Sequence, residues 1–267
     1  DYSTDRTREI LLEQDDCAIL APEREGGETI LHGVWLQRWL NNRVPESEGP
    51  GRWGIVLDAD EFLVLPSCFS SIGDAVTYLE GRKLPCSLAP MVDFYPKRLS
   101  ERFYDPLPPL VGSRWFDRDP GFVRIPGRAN PKMVLAGVRA RLLMMLSKRY
   151  PDRMKEIYGD KPYRMAKLWK VPVLKTGEGI TRPNVHNVSI EPPAEVQLAL
   201  AHFKFYPELD LRIEEALSRD GHFQGGVEYR FLQAILKLFP DEQLICPASV
   251  EYRSPSDLER VGLTWAE

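Results

Sequence analysis

Ile55-Val56-Leu57 is a short apolar run that stops at three carboxylates, Asp58, Asp60 and Glu61, before Phe62-Leu63-Val64-Leu65 takes it up again. A run bounded in this way reads as a buried strand, and Trp53 to Leu57 as the central strand of a sheet. Acids set against a hydrophobic core are costly unless a cation or hydrogen bonds compensate. Side chains alternate faces along a strand, so Asp58 and Asp60 are expected on one side and Ala59 on the other. Two carboxylates together at the C-terminal end of a core strand suit an oxygen-ligated divalent cation. A strand ending in a solvated acidic turn is the competing reading.

The surroundings favour a site. Asp1-Tyr2-Ser3-Thr4-Asp5-Arg6-Thr7 leads into a helix-like segment, Arg8 to Gln14, with Ser3 or Thr4 as N-cap and Asp5 in the first turn. Cys17 to Ala21 reads as a short buried strand. Glu28 to Arg43 carries Ile30, Leu31, Val34, Trp35 and Trp39 at helical spacing. Strands alternating with helices over short links predict an α/β fold with a doubly wound, mostly parallel sheet. Ligands of such sheets bind beyond the carboxyl ends of the strands, where Asp1 and the acids 58–61 would both lie.

Whole-chain properties exclude several classes. The 267 residues allow one large domain or two small ones. A net charge of −4 offers no positive excess for nucleic acid or an anionic membrane. Cys17, Cys68, Cys86 and Cys246 form no CxxC pair, which argues against zinc and a disulfide scaffold and fits a reducing, cytoplasmic compartment. No apolar run reaches the roughly 18–20 residues of a membrane span, and no signal peptide is evident; peripheral membrane attachment stays open.

Two segments carry a resemblance. Asp1-x-Ser3-x-Asp5-x-Thr7 followed by a helix is similar to the DNxSxDxT segment of family 2-like glycosyltransferases, and Leu57-Asp58-Ala59-Asp60-Glu61-Phe62-Leu63 resembles the DaDEFl form of their DxD motif. The likeness is firmest up to about residue 95. It implies a GT-A-like fold, a nucleotide-diphosphate sugar donor (a UDP-sugar favoured), a carbohydrate or lipid-linked hydroxyl acceptor, and Mn2+ or Mg2+. It also implies inversion at the anomeric centre and a place in cell-surface polysaccharide synthesis. The family's first strand is not in the sequence and is expected upstream of Asp1.

On this reading residues 1–98 form the nucleotide-sugar and metal-binding half of the domain. Residues 99–206 form the acceptor half with long loops, and 207–267 a helical C-terminal region. Asp58 and Asp60 are the expected metal ligands, with Asp58 also reaching the donor beside Asp1 and Ser3. Glu61 projects away from Asp60 in a regular strand and is expected as a hydrogen-bonded structural acid.

Further along, Ser70 to Gly81 reads as a helix and Cys86 to Met91 as a strand that runs on into Asp93. Asp93 is either the catalytic base or a loop cap. Residues 99–131 are rich in Pro, Gly and aromatics without periodicity, a long loop suited to a binding wall. Gly137-Val138-Arg139-Ala140-Arg141 resembles a GGxRxR element with Ala136 in place of the first glycine; its arginines either meet phosphate or lie on the surface. Residues 148–162 read as an exposed helix or insertion, and Lys167 to Val173 as a strand near the site.

In His202-Phe203-Lys204-Phe205 the histidine and lysine are expected on one face and the phenylalanines on the other. The resemblance makes His202 a third metal ligand and Lys204 a diphosphate contact; a structural histidine is the alternative, and His186 is a weaker candidate. Glu208 to Arg219 and Val227 to Phe239 are amphipathic helices joined by a Gly-rich linker. Glu228 is the other base candidate, or else a first-turn acid on the helix dipole. The tail from Pro247 is polar, with a weak helix from Ser256 to Val261. A sugar nucleotidyltransferase and a catalytically inactive nucleotide-sugar-binding module are the rival functions.

Overall fold

Every residue from Cys86 to Asp93 is buried, and this strand forms the middle of the sheet. The computed structural model describes residues 6–17, 19, 49–102, 109–159, 167–177, 180–182, 186–218 and 226–267. Asp1, Ser3, Thr4, Asp5, the expected helix 28–43 and nearly all of the Gly-rich linker before Val227 lie outside these residues, as does most of the expected strand from Cys17.

In chain order the elements are α1 (Thr7–Leu12), β1 (Trp53–Ile55), β2 (Glu61–Val64), α2 (Ile72–Gly81) and β3 (Cys86–Asp93). Then come α3 (Pro109–Gly112), β4 (Trp115–Asp117), β5 (Phe122–Val123), β6 (Lys132–Met133), α4 (Gly137–Arg149) and α5 (Pro151–Tyr158). The chain continues with β7 (Trp169–Lys175), β8 (Val196–Gln197), β9 (Ala199–His202), α6 (Leu209–Ser218) and α7 (Val227–Leu238). It ends with β10 (Ser249–Glu251), α8 (Pro255–Arg260) and β11 (Trp265–Ala266).

The architecture is mixed α/β, and the expectation of a mostly parallel sheet is corrected. The main sheet runs β1-β7-β3-β8-β11, with β9 prolonging β8 beside β3 and carrying β2 on its other side. Only the pairing of β3 with the β8–β9 run is parallel; β1/β7, β3/β7, β2/β9 and β8/β11 are antiparallel. β1 and β3 do point the same way, as a strand–helix–strand unit predicts. The difference is β7, which arrives from far along the chain and inserts antiparallel between them. Among the described residues β1 is therefore an edge strand, with Ile55 and Leu57 exposed, and β3 holds the central place.

Both faces of the sheet are covered. Leu79 of α2 packs with Ala89, Met91, Val173, Leu198 and Leu200. Val92, Phe94, Phe116, Phe203, Leu258 and Leu263 pack together, so the C-terminal tail contributes to the core. A third cluster joins α4, α5, α6 and α7 to Tyr95 and Phe205. Helix α2, expected over Ser70 to Gly81, starts at Ile72: Ser71 accepts from the Asp74 amide while the Asp74 carboxylate accepts from the Ser71 amide, a capping box. Helix α1 follows Arg6 with no side-chain cap. The region 99–131, expected as one loop, contains a 3-10 turn over Leu99–Arg102 as well as α3, β4 and β5.

Candidate active site

Three strand ends meet at one place. The β2/β9 register sets Glu61 opposite His202, and the β3/β9 register sets Asp93 opposite His202 on the other side. Residues directly opposite across a ladder share a face, so Glu61, His202 and Asp93 form a row across the sheet. The acidic segment is a turn, not the end of a strand: β1 stops at Ile55, and the Glu61 amide donates to the Asp58 carbonyl at 3.1 Å. Strand alternation does not apply through a turn, so it does not set the side chains of Asp58 and Asp60 as the strand reading expected. Instead Asp58 Oδ2 accepts from Lys170 Nζ at 2.6 Å, whereas Asp60 Oδ2 lies 3.5 Å from His202 Nε2.

Lys170, on β7 and only 2 % exposed, also lies 2.5 Å from Glu61 Oε1, and Glu61 Oε2 accepts from the Asp58 amide. Glu61 is thus a hydrogen-bonded acid of the turn. Asp58, its side chain 58 % exposed, already carries an ammonium partner.

His202 is ordered by Asp93. Asp93 Oδ1 lies 2.6 Å from His202 Nδ1, and Arg139 Nε donates to Asp93 Oδ2 at 2.7 Å. Burial opposes ionisation of Asp93, but the Arg139 guanidinium and the His202 hydrogen bond hold its carboxyl well below the usual range. An ionised carboxylate only accepts, so the proton between them is on Nδ1. Burial likewise disfavours the His202 imidazolium, yet Asp60 and Asp93 outweigh it and raise the pKa. Asp60 is buried enough to resist charge, and His202 and Lys204 nevertheless keep it ionised.

Glu228, in the first turn of α7, accepts from Arg139 Nη1 at 2.6 Å and stays partly exposed. Burial works against its charge, but Arg139, Lys204 and His202 hold its pKa down. The two base candidates are therefore brought together on one arginine. Gly137, with φ +80°, opens α4 beneath Asp93 in a backbone conformation that favours glycine. Arg139, open in the sequence between phosphate contact and surface, is buried in this network. Arg141 of the same segment is paired with Asp117.

A cavity of about 620 Å³ opens over the turn. Asp58 and Asp60 line it, Lys204 and Arg212 supply cations, and Phe62, Tyr206 and Tyr229 supply aromatic faces. Lys204 Nζ stands 5.6 Å over the Tyr229 ring. The expected alternation ends with β9 at His202, and Phe203 and Phe205 enter different core clusters. His186 lies apart from this row, its Nδ1 2.7 Å from the Trp169 carbonyl and its pKa pushed down to about 4 by burial.

Asp60, Glu61 and His202 offer ligand atoms within 4.8 Å of one another. With Glu61 engaged by Lys170, Asp60 and His202 remain as the donor pair. Ligands about 2.1 Å from one ion lie roughly 3.0–3.5 Å apart, so the Asp60–His202 separation fits a shared cation. A histidine whose second nitrogen is held by a carboxylate is the usual orientation of a metal-ligating imidazole. Sequence reasoning missed Lys170 and Arg212 as site residues, and no local pattern marks them. No family model matches this chain, and no curated protein or solved structure matches it either.

Proposed function

We propose that the protein is a metal-dependent glycosyltransferase that moves a sugar from a nucleotide-diphosphate donor, a UDP-sugar favoured, to a carbohydrate or lipid-linked hydroxyl, with inversion. The observation that carries this reading is the Asp60–His202–Asp93 row, whose Asp60 lines a cavity that also holds Asp58, Lys204 and Arg212. Asp60 and His202 Nε2 would hold Mn2+ or Mg2+, and Asp93 fixes the ring that presents Nε2. The cation's contribution is to neutralise charge developing on a departing diphosphate.

The remaining work falls to side chains. Lys204 and Arg212 would bind phosphate oxygens, while Phe62, Tyr206 and Tyr229 exclude water and offer faces to a base or sugar ring. Glu228 is partly exposed and ionised, which suits a group that takes the acceptor hydroxyl proton. Asp93 has both oxygens engaged, which suits orienting His202.

A thermal-shift titration with UDP, GDP and CDP, each with and without manganese, tests the site. One nucleotide is expected to raise the melting temperature only with manganese, by the equivalent of about 2.7 kcal/mol at a hundredfold excess over Kd. Asp60→Ala is expected to abolish that shift while leaving the apo melting temperature within a few degrees. A wild-type protein indifferent to manganese with all three nucleotides would remove the reading. Turnover provides the second check: Glu228→Gln is expected to slow sugar transfer about 10²–10⁴-fold, and undiminished transfer would exclude it as the base.

A further inference from the structure

Arg139 is 4 % exposed and stands between two carboxylates. Its Nε donates to Asp93 Oδ2 and its Nη1 to Glu228 Oε1. A guanidinium fork commonly grips both oxygens of one carboxylate. Asp93 offers it only Oδ2, because Oδ1 is engaged by His202 Nδ1, and the buried Nη2 has no hydrogen-bond partner among the described residues. A buried donor without an acceptor is costly. The arrangement therefore forgoes a bidentate ion pair and keeps one Asp93 oxygen on the imidazole. A salt bridge that served packing alone has no need of this division.

We propose that Arg139 is a positioning residue. Through Asp93 it keeps a proton on His202 Nδ1, so that Nε2, which faces Asp60, is the nitrogen left to a cation, and through Nη1 it holds Glu228 in register with that pair. The metal-ligating ring and the base are thereby set by one side chain that touches neither donor nor acceptor. The inference rests on the reading of Asp60 and His202 as metal ligands.

Two readouts test it on the full chain: the His202 tautomer, from 15N NMR of histidine-labelled, metal-free protein, and manganese affinity, from electron paramagnetic resonance with the metal alone. In the wild type the proton is expected on Nδ1; a neutral Nε2–H ring overturns the proposal. In Asp93→Asn only the amide oxygen can meet the Arg139 N–H. The amide nitrogen then turns to His202 and drives the ring to Nε2–H, and manganese affinity falls about 10–100-fold. In Arg139→Lys a point charge replaces the planar fork. Both tautomers become populated, and affinity drops by a similar factor.

Retention of Nδ1–H in Asp93→Asn overturns the proposal, as does wild-type tautomer and affinity in Arg139→Lys. Circular dichroism establishes that each variant is folded; if one is not, the other and the wild-type tautomer decide. A wild-type chain that binds no manganese removes the metal reading of Asp60 and His202, and the tautomers then decide the role of Arg139 separately.

Discussion

His186 shows how burial, helped by the nearby Lys170 and Lys167, sets a charge state. Its ring is held neutral, with a pKa near 4 against an ordinary value near 6.5, beside the backbone of β7. Between those two pH values the unfolded chain binds more protons at this residue than the folded one, so stability falls as pH falls through that window. The loss amounts to about 3 kcal/mol once pH is below both values. Urea midpoints at pH 7, 5.5 and 4 check this: His186→Gln is expected to lose visibly less stability over that interval than the wild type. Equal losses would place the acid sensitivity elsewhere. The sequence showed a histidine in Asn184-Val185-His186-Asn187 but not its depth, because burial is decided by strands that pack from elsewhere.

At the scale of elements, local signals were legible and distant ones were not. Helix α2 was readable from the apolar spacing of Ile72, Ala75, Val76 and Leu79, all within one short segment. Ser71→Ala removes one half of its capping box and is expected to cost about 1 kcal/mol in chemical denaturation; an unchanged midpoint would show the cap to be dispensable. Asp60, His202, Asp93 and Glu228 were each identifiable from residue type at an element end. What joins them was not. Arg139 lies in a helix whose pattern shows only that an arginine is present. Lys170 sits among the buried apolar residues Trp169, Val171, Pro172 and Val173, where its partners 112 and 109 residues away leave no trace. The turn at Asp58–Glu61 likewise defeated alternation, since chain reversal there is set by the Glu61 amide bonding to the Asp58 carbonyl.

At the scale of the whole molecule the C-terminal tail is part of the sheet system. β11 pairs with β8, β10 pairs with β4, and Leu258 and Leu263 lie in the cluster that backs Phe94 and Phe203. Leu263→Ala, within five residues of the end of the sequence, is therefore expected to cost about 2–5 kcal/mol and to lower the unfolding midpoint seen from every part of the sheet. A loss confined to the tail, read by hydrogen exchange, would show that it folds separately. No helix among the described residues is long and apolar enough to cross a membrane. The fold class was legible as α/β because helix and strand periods differ within short windows. The strand order was not, because nothing near Trp53 or Cys86 announces that residues 169–175 will come between them.

That insertion has a kinetic consequence. Lys170 reaches Asp58 and Glu61 only when β7 has taken its place between β1 and β3, closing a loop of more than a hundred residues. Contacts of such separation form late, after local helices and hairpins. Until then the turn holds its acids without their ammonium. If the proposed function holds, cation-dependent nucleotide binding should consequently lag the recovery of helical signal during refolding. Competence to bind would then report the last step of assembly rather than the first.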